Sequence, residues 1–182
     1  MRQTLILVVL AGLYAGQLSA QEKEAAMTAF KLSSSAFGQN QSIPAKYSCE
    51  GEDVSPPLAW EGAPAGAKSF ALICDDPDAP GGNWVHWVIW NVPGTALGLP
   101  ANVAKTETVA ALGGARQGLN GWPKLGYNGP CPPRGLHHYH FKLYALDAVL
   151  ELPPKAGKRQ LEDAMKGHIL GQTELVGTYQ RK

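Results

Sequence analysis

The side chains able to do chemistry gather in three stretches. The first is Asp75-Asp76-Pro77-Asp78-Ala79-Pro80-Gly81-Gly82. It directly follows the apolar run Phe70-Ala71-Leu72-Ile73-Cys74. Three carboxylates among prolines at a strand end make a rigid, acid-lined lip. Clustered carboxylates suit a hard cation. Asp and Pro are also ordinary turn residues, and a solvated turn is the plainer outcome.

The second stretch is Trp84-Val85-His86-Trp87-Val88-Ile89-Trp90. Strand alternation puts His86, Val88 and Trp90 on one face, and Val85, Trp87 and Ile89 on the other. His86 then begins an otherwise apolar face, where a histidine is usually a satisfied core residue. Its position argues for more. It lies eight residues after Asp78 across the Gly81-Gly82 turn, so a hairpin-like return brings it back to the lip.

The third stretch is Gly135-Leu136-His137-His138-Tyr139-His140-Phe141-Lys142-Leu143-Tyr144. Its odd positions, His137, Tyr139, Phe141 and Leu143, form the apolar face and turn to the core. His138 and His140 point outward. A zinc site is not supported, because His137 and His138 face opposite ways and the spacing is not that of a zinc motif. Two inward histidines, an aspartate lip and a buried tyrosine make a small polar pocket. Imidazole N–H and Tyr O–H both donate hydrogen bonds, which favours an anion such as phosphate.

The elements that must position these groups are short. The chain has 182 residues, enough for one ordinary domain. Its 21 glycines and 14 prolines exclude a helical bundle and point to short strands joined by turns and loops. Phe30–Phe37 and Ile43–Tyr47 read as short strands around Gly38. Ser55-Pro56-Pro57-Leu58 reads as a proline-stiffened extended piece. Ser69–Cys74 reads as a strand covered on both faces, Val85–Trp90 as the next, and Leu136–Leu146 as the clearest. Residues 95–135 form a long stretch rich in Gly and Ala, with weak strand signals near Lys105–Ala110. Leu161, Ala164, Met165 and Ile169 at helical spacing predict one late helix over Gly157–Ile169. The expectation is a mostly-β domain with helical trim near the C-terminus.

Arg2, the apolar stretch Leu5–Gly16 and the end Leu18-Ser19-Ala20 read as a secretory signal over residues 1–20. The stretch is too short to span a bilayer, which takes about 20 residues. A polar lead-in follows over 21–29, then a single domain over 30–182. Removal of the signal takes away Arg2 and leaves a near-neutral chain of about 162 residues. That chain is expected to be periplasmic or secreted, without stable membrane insertion. With 16 basic residues against 15 acidic and no basic run, a nucleic-acid partner is not expected.

Three cysteines, Cys49, Cys74 and Cys131, permit at most one internal bridge. Cys74 lies in an apolar run and reads as buried. Cys49 and Cys131 lie in Gly/Pro-bounded loops. In an oxidising compartment they are the candidate pair, the alternative being two separate loop thiols.

The blocks Asp76-Pro77-Asp78-Ala79-Pro80 with Trp84-Val85-His86-Trp87, and Gly129-Pro130-Cys131-Pro132-Pro133 with Gly135-Leu136-His137-His138-Tyr139, resemble the two signature blocks of phosphatidylethanolamine-binding proteins. Cys49-Glu50-Gly51-Glu52-Asp53-Val54-Ser55-Pro56-Pro57-Leu58 and Gly167-His168-Ile169-Leu170 … Glu174-Leu175-Val176-Gly177-Thr178-Tyr179 are similar to the bacterial Raf-kinase-inhibitor-like branch of the YbhB/YbcL type. The resemblance covers about Phe30 to Arg181. It implies a large antiparallel sheet packed on a smaller one, with peripheral helices and an anion pocket for phosphate-like head groups. Carried over, Asp76, His86, His137 and Tyr139 form the pocket, with Pro80, Trp84 and Gly129 as walls. The family commonly has Arg after the second-block histidine. Here the residue is His138, which leaves that arginine's outward salt bridge without its donor.

The resulting expectation is an exported binding protein for a small anionic or phosphorylated ligand, needing no cofactor and modulating or inhibiting a partner protein. One alternative is a phosphoester hydrolase using an Asp–His acid–base pair. No obvious nucleophile sits within the three stretches, and Ser55, in the proline-stiffened piece, lacks a nucleophile-elbow pattern. Another alternative is an interaction module with a vestigial pocket. The bacterial branch also suggests a homodimer, although the sequence shows no decisive apolar patch.

Overall fold

The computed structural model describes residues 29–182. The expected signal over 1–20 and the lead-in up to residue 28 lie outside the described residues. The strands are β1 (Lys31–Ser33), β2 (Gln41–Ser42), β3 (Leu58–Glu61), β4 (Ser69–Asp76) and β5 (Trp84–Pro93). Then come β6 (Gly98–Leu99), β7 (Thr108–Val109), β8 (Ala115–Gln117), β9 (His137–Leu146) and, after helix α1 (Lys158–Met165), β10 (Ile169–Tyr179).

Strands β2-β10-β9-β4-β5-β8-β7 form a seven-stranded sheet, and β1-β3-β6 a three-stranded one. A mostly-β architecture with a large and a small sheet is therefore present. The large sheet is antiparallel except where the short β2 runs parallel to β10. Every residue of the central strand β4 is buried, as expected for a strand covered on both faces. On one face Phe70, Leu72 and Cys74 join Trp87, Phe141 and Leu143 against Leu32, Leu58 and Trp60 of the small sheet. Trp60 and Phe70 meet across that interface with ring centroids 5.0 Å apart. On the other face Ala71, Ile73, Val88 and Trp90 pack under Leu161 and Met165 of α1.

Three local expectations are corrected. The strand expected over Ile43–Tyr47 is a 3-10 turn at Ala45–Tyr47. Pro44 lacks an N–H, and its carbonyl instead accepts the Tyr47 amide. The strand expected over Phe30–Phe37 spans only Lys31–Ser33. The helix ends at Met165, because Gly167 takes a positive φ of 82° and turns the chain. Ile169 accordingly leaves the helix and opens β10, a strand of 11 residues that the sequence pattern did not reveal.

Candidate functional site

Two central strands end together and carry the site. Asp76 closes β4 and His137 opens β9. In their antiparallel register Asp75 pairs with His140, which places Asp76 beside the start of β9. Strict alternation along β9 sends His137 and Tyr139 inward and leaves His138 and His140 part-exposed, as the sequence pattern requires.

His86 arrives by a different route. Asp75 pairs with Val85, but Cys74 pairs with Trp87, so His86 is an extra residue on β5. Such a bulge lets consecutive side chains share a face. His86 and Trp87 both turn to the sheet–sheet side, while Val85 and Val88 turn toward α1. The face expected for His86, with Val88 and Trp90, is therefore wrong, and the bulge is the reason.

These groups open onto one cavity of about 240 Å³. It is lined by Asp76, His86, His137 and Tyr139, walled by Pro80 and Trp84, and completed by Trp122 and the Cys131–Pro133 segment. The four polar groups are all at least nine-tenths buried. Asp76 Oδ2 lies 2.8 Å from His137 Nδ1, and Asp76 Oδ1 accepts the Asp78 amide at 2.9 Å. His86 Nδ1 donates to the Asn128 carbonyl oxygen at 2.7 Å. Burial pulls the His86 pKa below the ordinary histidine value, which the Asn128 bond and the Asp76 charge only partly offset. Both rings line the cavity, each held through its Nδ1. The Tyr139 hydroxyl is buried with no partner among the described residues. Burial, reinforced by the nearby Asp76 carboxylate, pushes the Tyr139 phenol far above its usual pKa, so it stays a neutral O–H donor.

Gly129 does not line this cavity, which corrects its expected place. It sits behind, in a hollow it shares with Asp53, Trp122 and Asn128. A Cβ on it would lie 2.2 Å from the Tyr47 carbonyl oxygen, so its role is close backbone packing.

Sequence reasoning missed three contributors. Trp122 packs edge-on against His86 and Trp84, with centroids 5.1 and 5.4 Å away. Asn128 supplies the carbonyl that holds His86. Asp53 accepts the Gly129 amide at 2.6 Å and the Asn128 side-chain amide at 3.1 Å, fixing the peptide that bears that carbonyl. Trp122 and Asn128 lie in the long Gly/Ala-rich stretch, and only its length was a signal.

The acidic lip also divides. Asp75 faces the α1 side, fully buried, where Lys142 Nζ meets it at 2.8 Å, Asn83 Nδ2 at 2.9 Å and Lys158 forms a further ion pair. Burial alone would raise its pKa, but the two lysines hold it below the usual value. Asp78 is outside the cavity. Its Oδ2 accepts the His138 backbone amide at 2.8 Å and meets His138 Nδ1 at 2.7 Å, and the His138 side chain holds its pKa down. His138 thus makes an outward hydrogen-bonded contact with Asp78 from the position where the family commonly has arginine. Cys49 and Cys131 are joined as a disulfide with Cα atoms 5.4 Å apart, and Cys74 is a buried thiol.

The family model described as phosphatidylethanolamine-binding protein matches residues 33–180. A UPF0098 protein of Methanothermobacter thermautotrophicus is 51% identical over 150 residues, covering 82% of this chain and 98% of the relative. One from Aquifex aeolicus is 44% identical over 151 residues, covering 81% and 86%. Among solved structures, a Chlamydia trachomatis protein described as a homolog of the same family superposes with a TM-score of 0.77 at 42% identity, covering 85% of this chain and 99% of that one. Escherichia coli YbcL, described as a new member of the mammalian family, superposes with a TM-score of 0.79 at 31% identity, covering 85% and 100%. The chain belongs to the phosphatidylethanolamine-binding protein family.

Proposed function

We propose that this chain is an exported binding protein whose cavity takes a phosphate-like oxyanion, free or on a phosphorylated head group. One observation carries the reading. Two buried imidazoles line a single small cavity beside the Tyr139 ring, with a carboxylate fixing one imidazole. Buried polar groups left without protein partners are costly unless something else pairs with them. The apolar walls from Pro80, Trp84, Trp122 and Pro132 suit the organic part of a small ligand. Export follows from residues 1–20 and is tested by locating the processed chain in cell fractions. Modulation of a partner protein would act through the same rim when the cavity is filled.

Titration with inorganic phosphate and phosphoethanolamine, followed by histidine ring resonances, tests the reading. His86 and His137 should shift, and His140 and His168 should not. Unchanged His86 and His137 signals at millimolar ligand would overturn it. No serine, threonine or free thiol lines the cavity among the described residues, so a hydrolase there would use Asp76, a histidine or an activated water as its nucleophile.

A further inference from the structure

We propose that a lysine-lined trough behind the cavity docks an extended acidic peptide segment of a partner protein, one that carries apolar side chains between its carboxylates. This surface is separate from the oxyanion cavity, and the proposal goes beyond the reading above without depending on it.

The trough, of about 550 Å³, is lined by Lys105, Lys124 and Lys155 together with Leu119, Pro123 and Leu125. The three lysines come from three loops: before β7, between β8 and β9, and before α1. Their spread through the sequence hides the cluster, in a chain whose formal net charge is only +1. The positive charge is not cancelled locally. Asp53 is the one carboxylate in the lining among the described residues, and its oxygens are already taken. They hold Lys105 Nζ at 2.8 Å, the Asn128 side-chain amide at 3.1 Å and the Gly129 amide at 2.6 Å. Lys124 and Lys155 form no ion pair among the described residues.

The loop that carries Lys124 is held from inside. Asn120, 6% exposed, takes the Trp122 and Lys124 amides on Oδ1 at 3.0 and 3.2 Å. Its Nδ2 donates to the Gly126 carbonyl at 3.0 Å and to Asn128 Oδ1 at 2.8 Å. A backbone bridge pairs Gly118 with Lys155, and a Cβ on Gly126 would lie 3.1 Å from Lys105 Cα, so both neighbouring loops pack against this one. Lys155 is held at a φ of 62°, a left-handed conformation that lysine seldom adopts. Loops fixed in advance spare a ligand the cost of ordering them.

The trough has more than twice the volume of the oxyanion cavity, too much for one small anion. Three cations around it suit carboxylates carried along a chain. Leu119, Pro123 and Leu125 give the same lining apolar surface, which a bare polyanion would leave unused. The hollow behind Trp122 joins the two sites. It shares Trp122 and Cys131 with the cavity, and Asp53, Lys124 and Asn128 with the trough. A segment seated in the trough therefore lies beside the cavity wall.

Fluorescence anisotropy with a labelled peptide of alternating Glu and Leu tests this at about 50 mM salt, where exposed charges are weakly screened. The double variant Lys124→Glu/Lys155→Glu should weaken binding at least about tenfold. Lys68→Glu/Lys182→Glu makes the same change of net charge at exposed positions outside the trough and should stay within about twofold of the parent. Absence of binding to the wild type, or an equal loss in the two double variants, overturns the docking surface. An all-Glu peptide or a single-stranded oligonucleotide that binds as tightly as the Glu–Leu peptide overturns the assignment to an apolar, acidic segment. If the trough variant does not fold, methyl resonances of the wild type decide. Those of Leu119 and Leu125 should shift with peptide while those of Leu97 and Val149 stay, and the reverse overturns the proposal. Phosphate titration of His137 reads the cavity separately: phosphate shifts without peptide binding overturn the trough and leave the oxyanion reading standing.

Discussion

The carboxylate of Asp76 reaches the ring of His137 across 61 residues of sequence, with Oδ2 2.8 Å from Nδ1. Both side chains are almost fully buried. The same carboxylate holds the Asp78 amide, so one group fixes both the lip and the imidazole. Asp76→Ala strands a buried ring N–H and should cost about 2–3 kcal/mol in urea unfolding. Phosphate affinity should drop by about tenfold as the ring loses its orientation. Asp76→Asn retains an acceptor and should recover part of both losses. An alanine variant as stable as its parent would show that the pair is not structural.

His86 makes stability depend on pH in a defined direction. Its folded pKa lies below the ordinary value because it is buried. The unfolded chain therefore takes up a proton near pH 6.5 that the folded ring refuses. The stabilisation is fully present above that pH and erodes as pH falls from there toward the folded pKa. The contribution has a limiting slope of about 1.4 kcal/mol per pH unit. Urea unfolding between pH 7.5 and 5, compared with His86→Phe, isolates it. The wild type should show the steeper acid loss, and parallel pH profiles would contradict the assignment.

Asp53 lies outside the cavity lining and acts through the peptide behind His86. Its two oxygens take the Gly129 amide and the Asn128 side chain, and the Asn128 carbonyl holds His86 Nδ1. Its ion pair with Lys105 at 2.8 Å is part-exposed and adds little. Asp53→Ala should free the peptide, broaden the His86 Nδ1–H resonance and weaken phosphate binding by about threefold to tenfold. Lys105→Ala should leave both readouts near the parent values. A sharp Nδ1–H signal in Asp53→Ala would remove Asp53 as a positioning residue.

The legible part of the site was the part made by regular strands. His137 and Tyr139 follow from alternation, and the aspartate lip from the strand end, along strands β4 and β9 that pair without a break at the site; Asp76 is singled out within that lip by the family resemblance. His86 reaches the cavity from the face opposite to the one that alternation gives, because one inserted residue in β5 reverses the parity and leaves no local trace. Asn128 and Trp122 sit in a loop where periodicity carries no information, and their roles arise from long-range closure. β10 was hidden because Gly171 and Gly177 interrupt it and its first half is mostly exposed and does not alternate apolar with polar residues. The two-sheet architecture was legible only through the family resemblance. Alternation tells which face of a strand is buried, and not which strands are neighbours.

Gly129 shows how a residue can be essential to a cavity it does not line. A Cβ there would lie 2.2 Å from Tyr47 O and 2.7 Å from Ser48 Cα. Those are backbone atoms, and they are tied in place. Cys49 N donates to Pro130 O at 3.0 Å, Tyr127 Oη donates to Tyr47 O at 2.8 Å, and the Cys49–Cys131 disulfide closes the same contact. Nothing nearby can yield, so Gly129→Ala should cost about 3 kcal/mol and displace the wall formed by Pro132 and Pro133. Gly81 gives the control. It lines the cavity mouth, yet a Cβ there meets nothing within 4 Å. Gly81→Ala should change stability by no more than about 0.5 kcal/mol. Thermal and urea unfolding of the two variants, with phosphate titration of each, separates the roles. A Gly129→Ala protein that melts with its parent would show that this backbone contact is softer than its geometry requires.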